Sequence, residues 1–182
     1  MDHGHHCDCN GASPLGRRRF LTLAALGGGA ALLSGLPGGT AHASGSVDAL
    51  LLTCMDYRLV DDVVRYMDGR GLNGKYDHVI LAGASLGALT ERMPAWGNTF
   101  WQHLDVAIQL HKVHRVIVMD HRDCGAYRVF LDKDLAGDRA AESAAHAAQL
   151  SRLAAEVRSR HPGLEVELLL MSLDGKVETV SA

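Results

Sequence analysis

Short apolar runs alternate with amphipathic stretches from residue 47 to the end of the chain. Apolar runs bounded by turn residues predict buried strands, and apolar residues at helical spacing predict amphipathic helices. The predicted strands cover 47–54, 78–82, 116–119 and 164–173. The predicted helices cover 60–68, 99–114 and 140–160. An Asp-Gly turn at 174–175 leads into 176–180, which we expect to form a short hairpin arm.

This alternation of strands and helices predicts the fold class. Strands that are separated by helices pair in parallel, and the helices cover both faces of the sheet. We therefore predict one α/β domain over residues 44–182, with a parallel sheet flanked by helices. Active sites in such sheets lie beyond the carboxyl ends of the strands.

Residues 1–43 have the character of a targeting segment. Arginines at 17–19 precede a glycine-rich apolar stretch over 20–36, and a small-x-small site follows at 41–43. This order is typical of a secretory signal peptide, and the paired arginines resemble the twin-arginine type. We predict that 1–43 is a signal peptide recognised by the twin-arginine export machinery, and that the mature protein is exported to the periplasm.

An uncleaved membrane anchor is the alternative interpretation of 20–36. This stretch is rich in glycine and shorter than the roughly 20 strongly apolar residues that a spanning helix needs, so we expect no stable membrane anchor. The net charge of −3, without a block of basic residues, also argues against a nucleic-acid partner.

Polar residues that could bind a metal follow the first and third predicted strands. The segment Cys54–Arg58 comes at the end of the first strand, and His121–Gly125 at the end of the third. Together they offer two thiolates and an imidazole, the ligands that tetrahedral zinc prefers, and three protein ligands leave a position open for catalysis. The alternative for Cys54 and Cys124 is a disulfide, the usual state of two cysteines in an exported protein. The polar neighbours of each cysteine favour metal binding, and there is no Cys-x-x-Cys motif to suggest a thiol-redox protein.

Asp56 and Arg58 are the candidates for catalysis. They lie two and four residues beyond Cys54, so in an extended segment they project to the same side as its thiol. A carboxylate beside a guanidinium stays ionised. Such a carboxylate could handle the proton of a metal-bound water.

The combination of Cys-x-Asp-x-Arg with a later His-x-x-Cys-Gly resembles the β-class carbonic anhydrases over most of residues 44–182. The resemblance implies a homodimer with one zinc ion per chain, bound by Cys54, His121 and Cys124. It implies reversible hydration of carbon dioxide to bicarbonate through zinc-bound hydroxide. Asp56 would orient that hydroxide, and Arg58 would hold Asp56 away from the metal.

Details of the second motif lead to further expectations. By the resemblance, Gly125 would let the backbone approach the metal loop closely. We expect Asp123 to form a salt bridge with Arg122, and we expect His146 to lie at the surface or at an element boundary.

Other functions remain open at this stage. The same scaffold could hydrolyse carbonyl sulfide or carbon disulfide, or the chain could be a non-catalytic zinc-binding protein. The presence of Asp56 and Arg58 argues against the latter, because metal retention needs neither residue. A His- and Cys-rich tract over 3–9 also looks able to bind metal, but it precedes the predicted export signal.

Overall fold

A computed structural model describes residues 45–131, 135 and 137–181. The predicted signal segment 1–43 lies outside the described residues, and its assignment stays a prediction. None of the helices in the described ranges is long and apolar enough to cross a membrane.

The centre of the fold is a five-stranded sheet in the order β2-β1-β3-β4-β5. The strands are β1 (Ala49–Thr53), β2 (Tyr76–Ile80), β3 (Arg115–His121), β4 (Glu165–Met171) and β5 (Val177–Thr179). The strands β2, β1, β3 and β4 are parallel to their neighbours, whereas β5 runs antiparallel to β4. The predicted hairpin arm is thus the fifth strand, and the predicted α/β class is confirmed.

The helices cover both faces of this sheet. They are α1 (Val60–Gly69), α2 (Ser85–Leu89), α3 (Pro94–His111), α4 (Gly125–Leu131) and α5 (Arg139–Arg160), and a 3-10 turn (Tyr57–Leu59) precedes α1. The sequence predicted α1, α3 and α5. It did not predict α2 and α4, because such short helices show too little periodicity.

The core consists of two apolar layers, one on each face of the sheet. Leu50 and Leu52 of β1 point towards α3 and α5, while Leu51 points towards α1. All of β1 is therefore buried, which explains its unbroken apolar sequence. The first layer includes Phe100, Leu104, Leu150 and Leu153, and the second includes Val63, Met67, Ile117 and Met119.

A glycine in α2 allows this helix to pack against the turn that follows β2. A Cβ atom at Gly87 would lie 2.4 Å from the carbonyl oxygen of Ala82. Because that oxygen belongs to the backbone, it cannot rotate away. We expect Gly87→Ala to lower the free energy of unfolding by about 2 kcal/mol, measured by urea denaturation of the full-length chain.

Gly125→Ala is the matched control for this prediction. Gly125 is the first residue of α4, and a Cβ atom there would have nothing within 4 Å. Its replacement should leave the free energy of unfolding unchanged or raise it by up to about 1 kcal/mol. Equal effects of the two substitutions would contradict the packing argument.

Candidate metal centre

The structure brings Cys54, His121 and Cys124 together at the carboxyl edge of the sheet. Cys54 follows β1, His121 ends β3, and Cys124 lies just before α4. They meet because β1 and β3 are adjacent parallel strands that end at the same level, with Thr53 opposite Met119. The ligand atoms of the three residues lie within 4.8 Å of one another. The two sulfurs are 3.9 Å apart and are not bonded to each other.

The hydrogen bonding of His121 fits a metal ligand. Its Nδ1 lies 2.8 Å from the carbonyl oxygen of Arg122, which can only accept, so Nδ1 carries the proton. The unprotonated Nε2 is buried and has no hydrogen-bond partner among the described residues. A buried polar atom without a partner is costly. A cation bound among the three side chains would satisfy it, so the residues present fit a metal ion.

The two thiols share one proton. Hydrogen bonds to Cys54 from the thiol of Cys124 and from the backbone N–H of Gly83 help to lower the pKa of Cys54 to about 4. The bond to Cys54, together with burial, raises the pKa of Cys124. The pair therefore carries one negative charge near neutral pH. Metal binding would displace the remaining proton, as it does wherever thiolates are ligands.

Asp56 is held at the edge of this cluster by Arg58. The guanidinium donates from Nε to Oδ1 of Asp56 at 2.9 Å and from Nη2 to Oδ2 at 2.7 Å. These hydrogen bonds lower the pKa of Asp56 to about 2, so the carboxylate is ionised at neutral pH. Its Oδ2 lies 3.8 Å from Nε2 of His121. A negative and oriented carboxylate thus faces the candidate ligands.

Arg58 also binds a second carboxylate, which the sequence did not indicate. Its Nη1 donates to Oδ2 of Asp123 at 2.8 Å. Asp123 has a φ of 54°, and its side chain reaches Arg58. The expected salt bridge between Asp123 and Arg122 is therefore wrong, because Arg122 pairs with Glu142 and Glu178 instead.

The expected role of Gly125 is also wrong, because a Cβ atom there would meet nothing within 4 Å. The glycine that the site requires is Gly83. It has a φ of +79°, and an added Cβ would lie 3.0 Å from Cβ of Ala126. Its N–H donates to Sγ of Cys54 at 3.2 Å. The turn after β2 is thus a contact of the candidate centre.

A buried polar cluster behind the centre was missed by the sequence reasoning. Asp120, the residue before His121, accepts hydrogen bonds from Ser85, Tyr127 and His146. The expected surface position of His146 is wrong, since its side chain is 1% exposed. The one available signal was an aspartate directly after the apolar run 116–119 of β3.

A cavity of about 420 Å³ opens beside the cluster. Its walls are mostly apolar, with Asp56 as the charged side chain that lines it. The lining residues are Cys54, Met55, Asp56, Tyr57, Ala82, Cys124, Gly125, Ala126, Val129 and Phe130. The cavity suits a small molecule without charge.

Sequence comparison finds a family and two relatives. The model of a family described as "Putative carbonic anhydrase" matches residues 45–181. An uncharacterized protein of Rickettsia conorii is 35% identical over 131 residues, which cover 72% of this chain and 70% of the relative. An uncharacterized protein of Rickettsia bellii is 34% identical over 131 residues, which cover 72% of this chain and 80% of the relative.

Solved structures of carbonic anhydrases share the fold. The enzyme of Streptococcus mutans gives a TM-score of 0.52 at 19% identity, covering 89% of this chain and 97% of its own. The enzyme of Glaciozyma antarctica gives a TM-score of 0.51 at 16% identity, covering 92% of this chain and 96% of its own. The β-carbonic anhydrase of Coccomyxa gives a TM-score of 0.51 at 16% identity, covering 90% of this chain and 82% of its own. With the family model spanning 45–181, these findings show that the chain belongs to the β-carbonic-anhydrase-like family described as "Putative carbonic anhydrase".

Proposed function

We propose that the protein is a zinc-dependent carbonic anhydrase, which interconverts carbon dioxide and bicarbonate. The observation that carries the proposal is the meeting of two motifs at one edge of the sheet. Two sulfurs and an unpartnered imidazole nitrogen lie within 4.8 Å of one another, beside an oriented carboxylate. A site that served only to retain a metal would need no such carboxylate.

Cys54, His121 and Cys124 would hold the zinc ion. A zinc ion bound there supplies a Lewis acid that lowers the pKa of water from 15.7 to about 7. The hydrogen bond from Gly83 to Cys54 would fix the position of one thiolate, and the bond from Nδ1 of His121 to the Arg122 carbonyl fixes the orientation of the imidazole. Such outer contacts orient metal ligands.

Asp56 would orient the reacting water. Because it is ionised and held through two bonds by Arg58, it can accept a hydrogen bond from water but cannot turn freely. A lone pair of that water would then face the carbon of carbon dioxide, and bicarbonate would form with the release of one proton to solvent. Arg58 and Asp123 keep the carboxylate in place throughout the reaction.

The shape and polarity of the cavity support a small neutral substrate. Its apolar walls suit carbon dioxide, and they suit carbonyl sulfide or carbon disulfide equally well. The hydrolysis of these sulfur compounds is therefore the second candidate function. Both candidates use the same residues, and the assay below separates them.

We expect Asp56→Asn to lower the rate of carbon dioxide hydration roughly 100-fold, the lower end of the contribution of a positioned proton-handling group. Asparagine keeps the shape but loses the charge, and its amide group would face the donors of Arg58. Stopped-flow hydration by the full-length chain, loaded with one zinc per chain, measures this. Asp61→Asn on the exposed side of α1 is the control and should keep the wild-type rate.

The outcomes discriminate between the candidates. Rapid hydration by the wild type that collapses in Asp56→Asn supports the anhydrase and the role of Asp56 together. If the zinc-loaded wild type does not hydrate carbon dioxide between about pH 6 and 9, a window around the neutral pKa expected of zinc-activated water, the anhydrase proposal is wrong. Release of hydrogen sulfide from carbonyl sulfide or carbon disulfide would then establish the second candidate, and its absence would favour a non-catalytic zinc protein.

Export to the periplasm and assembly as a homodimer are part of the proposal. Export rests on the twin-arginine pattern within residues 1–43. The dimer is supported by Met55 and Tyr57, which line the cavity and are 65% and 86% exposed. Apolar side chains grouped at a surface commonly mark a contact with another chain.

A further inference from the structure

Asp120 is the centre of a buried hydrogen-bond cluster. Its side chain is 1% exposed, and donors from separate helices converge on its carboxylate. The backbone N–H of Ser85 donates to Oδ1 at 3.0 Å, and the Ser85 hydroxyl donates to Oδ2 at 2.7 Å. The hydroxyl of Tyr127 and Nδ1 of His146 donate to Oδ2 at 2.5 and 3.0 Å. Every partner of this buried carboxylate is therefore a donor.

Through Ser85, the carboxylate holds a strained turn. Ala84 is fully buried and has a φ of 42° and a ψ of −102°, a conformation that side chains with a Cβ rarely adopt. Strain of this kind persists only where the surroundings hold it in place. The two bonds from Ser85 to Asp120 are such a restraint, because they fix the residue that follows Ala84.

This turn presents the amide that contacts Cys54. Gly83, which precedes Ala84, donates its N–H to Sγ of Cys54 at 3.2 Å. If Ser85 were released, Ala84 could relax towards an ordinary conformation, and the direction of the Gly83 N–H would change. Asp120 is thus connected to one candidate ligand through residues 83–85.

The other two candidate ligands are tied to the same carboxylate. Asp120 immediately precedes His121 in the sequence of β3. Tyr127, whose hydroxyl binds Asp120, also donates its backbone N–H to the carbonyl oxygen of Cys124 at 3.1 Å. The segments that carry or contact the three candidate ligands therefore converge on one buried side chain.

We propose that Asp120 is a positioning residue of the metal centre, which sets the geometry of the thiolate ligands through Ser85 and Tyr127. The proposal rests on the metal site described under the proposed function, and it assigns Asp120 no contact with substrate. Asp120→Asn is the informative substitution. It preserves the volume, but one orientation of its amide sets N–H groups against the backbone N–H of Ser85. The other orientation removes the acceptor to which the hydroxyls of Ser85 and Tyr127 and the imidazole of His146 donate.

Cobalt is the probe for this test, because its absorption spectrum contains thiolate-to-metal charge-transfer bands that respond to the bonding of each sulfur. The full-length chain should carry Cys7→Ser and Cys9→Ser, so that Cys54 and Cys124 are its remaining thiols. We expect Asp120→Asn to weaken cobalt binding about 10- to 100-fold, measured by competition with a chelator, and to shift the charge-transfer bands. Ser85→Ala keeps the backbone bond to Asp120 and should give a smaller change in the same direction.

Val157→Ala is the control for a purely structural effect. Val157 is fully buried on α5 and lies in the core layer that faces α3. This variant should lower the free energy of unfolding but leave the cobalt affinity and spectrum unchanged.

The outcomes separate this proposal from the metal site itself. Wild-type cobalt affinity and bands in Asp120→Asn would overturn the positioning role. If Asp120→Asn does not fold, Ser85→Ala decides: unchanged bands and affinity overturn the role, and shifted bands support it. A parent protein without thiolate bands would instead overturn the metal site, and the positioning role with it.

Discussion

Cys54→Ala is expected to lower the affinity for zinc or cobalt by more than about 100-fold. Loss of an outer contact of a metal ligand lowers the affinity by up to about 100-fold, and loss of the ligand itself should lower it further. The substitution removes one of three ligand atoms and also the acceptor of the Gly83 N–H. The hydrogen bond to Cys54, which is the larger cause of the raised pKa of Cys124, would also be lost, and burial alone would then keep that pKa raised. Chelator competition with the full-length protein measures the affinity.

The N-terminal tract supplies the control for this prediction. His3, His5, His6, Cys7 and Cys9 could bind metal in the full-length chain. A Cys7→Ser, Cys9→Ser variant should retain the tight site, with one metal per chain. The opposite pattern, in which this double variant loses the tight site and Cys54→Ala keeps it, would place the metal in the N-terminal tract and reject the centre proposed at the sheet edge.

The candidate ligands could be found from the sequence because each lies at the end of a recognisable strand. Parallel strands bring their carboxyl ends to one edge, so residue type and strand position together predicted that Cys54, His121 and Cys124 would meet. The outer contacts could not be found in this way. Ser85 and His146 lie 35 and 26 residues from Asp120. Their contact depends on the packing of α2 and α5 against β3, for which the sequence has no local signal.

The strands also differ in how well the sequence predicts them. The predicted strand at 78–82 lies two residues too late, because β2 spans Tyr76–Ile80. As an edge strand it is buried mainly at Val79, so its polar positions gave no clear start. The apolar residues 81–82 that extended the prediction belong to the turn before α2. Burial in the centre of the sheet made β1 and β3 easier to predict, since both read as continuous apolar runs.

Arg122 is the residue whose loss should most affect the stability of the loop between His121 and Cys124. Its side chain is 8% exposed and donates from Nη1 to Glu142 at 3.0 Å and from Nη2 to Glu178 at 3.1 Å. Glu142 also accepts the backbone N–H of Asp123 at 2.6 Å, so the ion pair links α5 to the loop between the candidate ligands. We expect Arg122→Met to lower the free energy of unfolding by about 3 kcal/mol, since it leaves a largely buried carboxylate without its cation. Urea denaturation of the full-length chain measures this.

Arg139→Ala provides the matched control, because Arg139 binds the same carboxylate of Glu178 at 3.0 Å but is 71% exposed. Exposed ion pairs contribute less than about 1 kcal/mol, so this variant should remain close to the wild type. Similar losses in the two variants would mean that the burial of Arg122 does not matter and that Glu178 is the dominant partner. A large loss confined to Arg122→Met would locate the stability of the loop in the contacts of Arg122 with Glu142, Ser143 and Glu178. In that case Arg122 serves the folding of the loop, while Asp123 holds Arg58 beside Asp56.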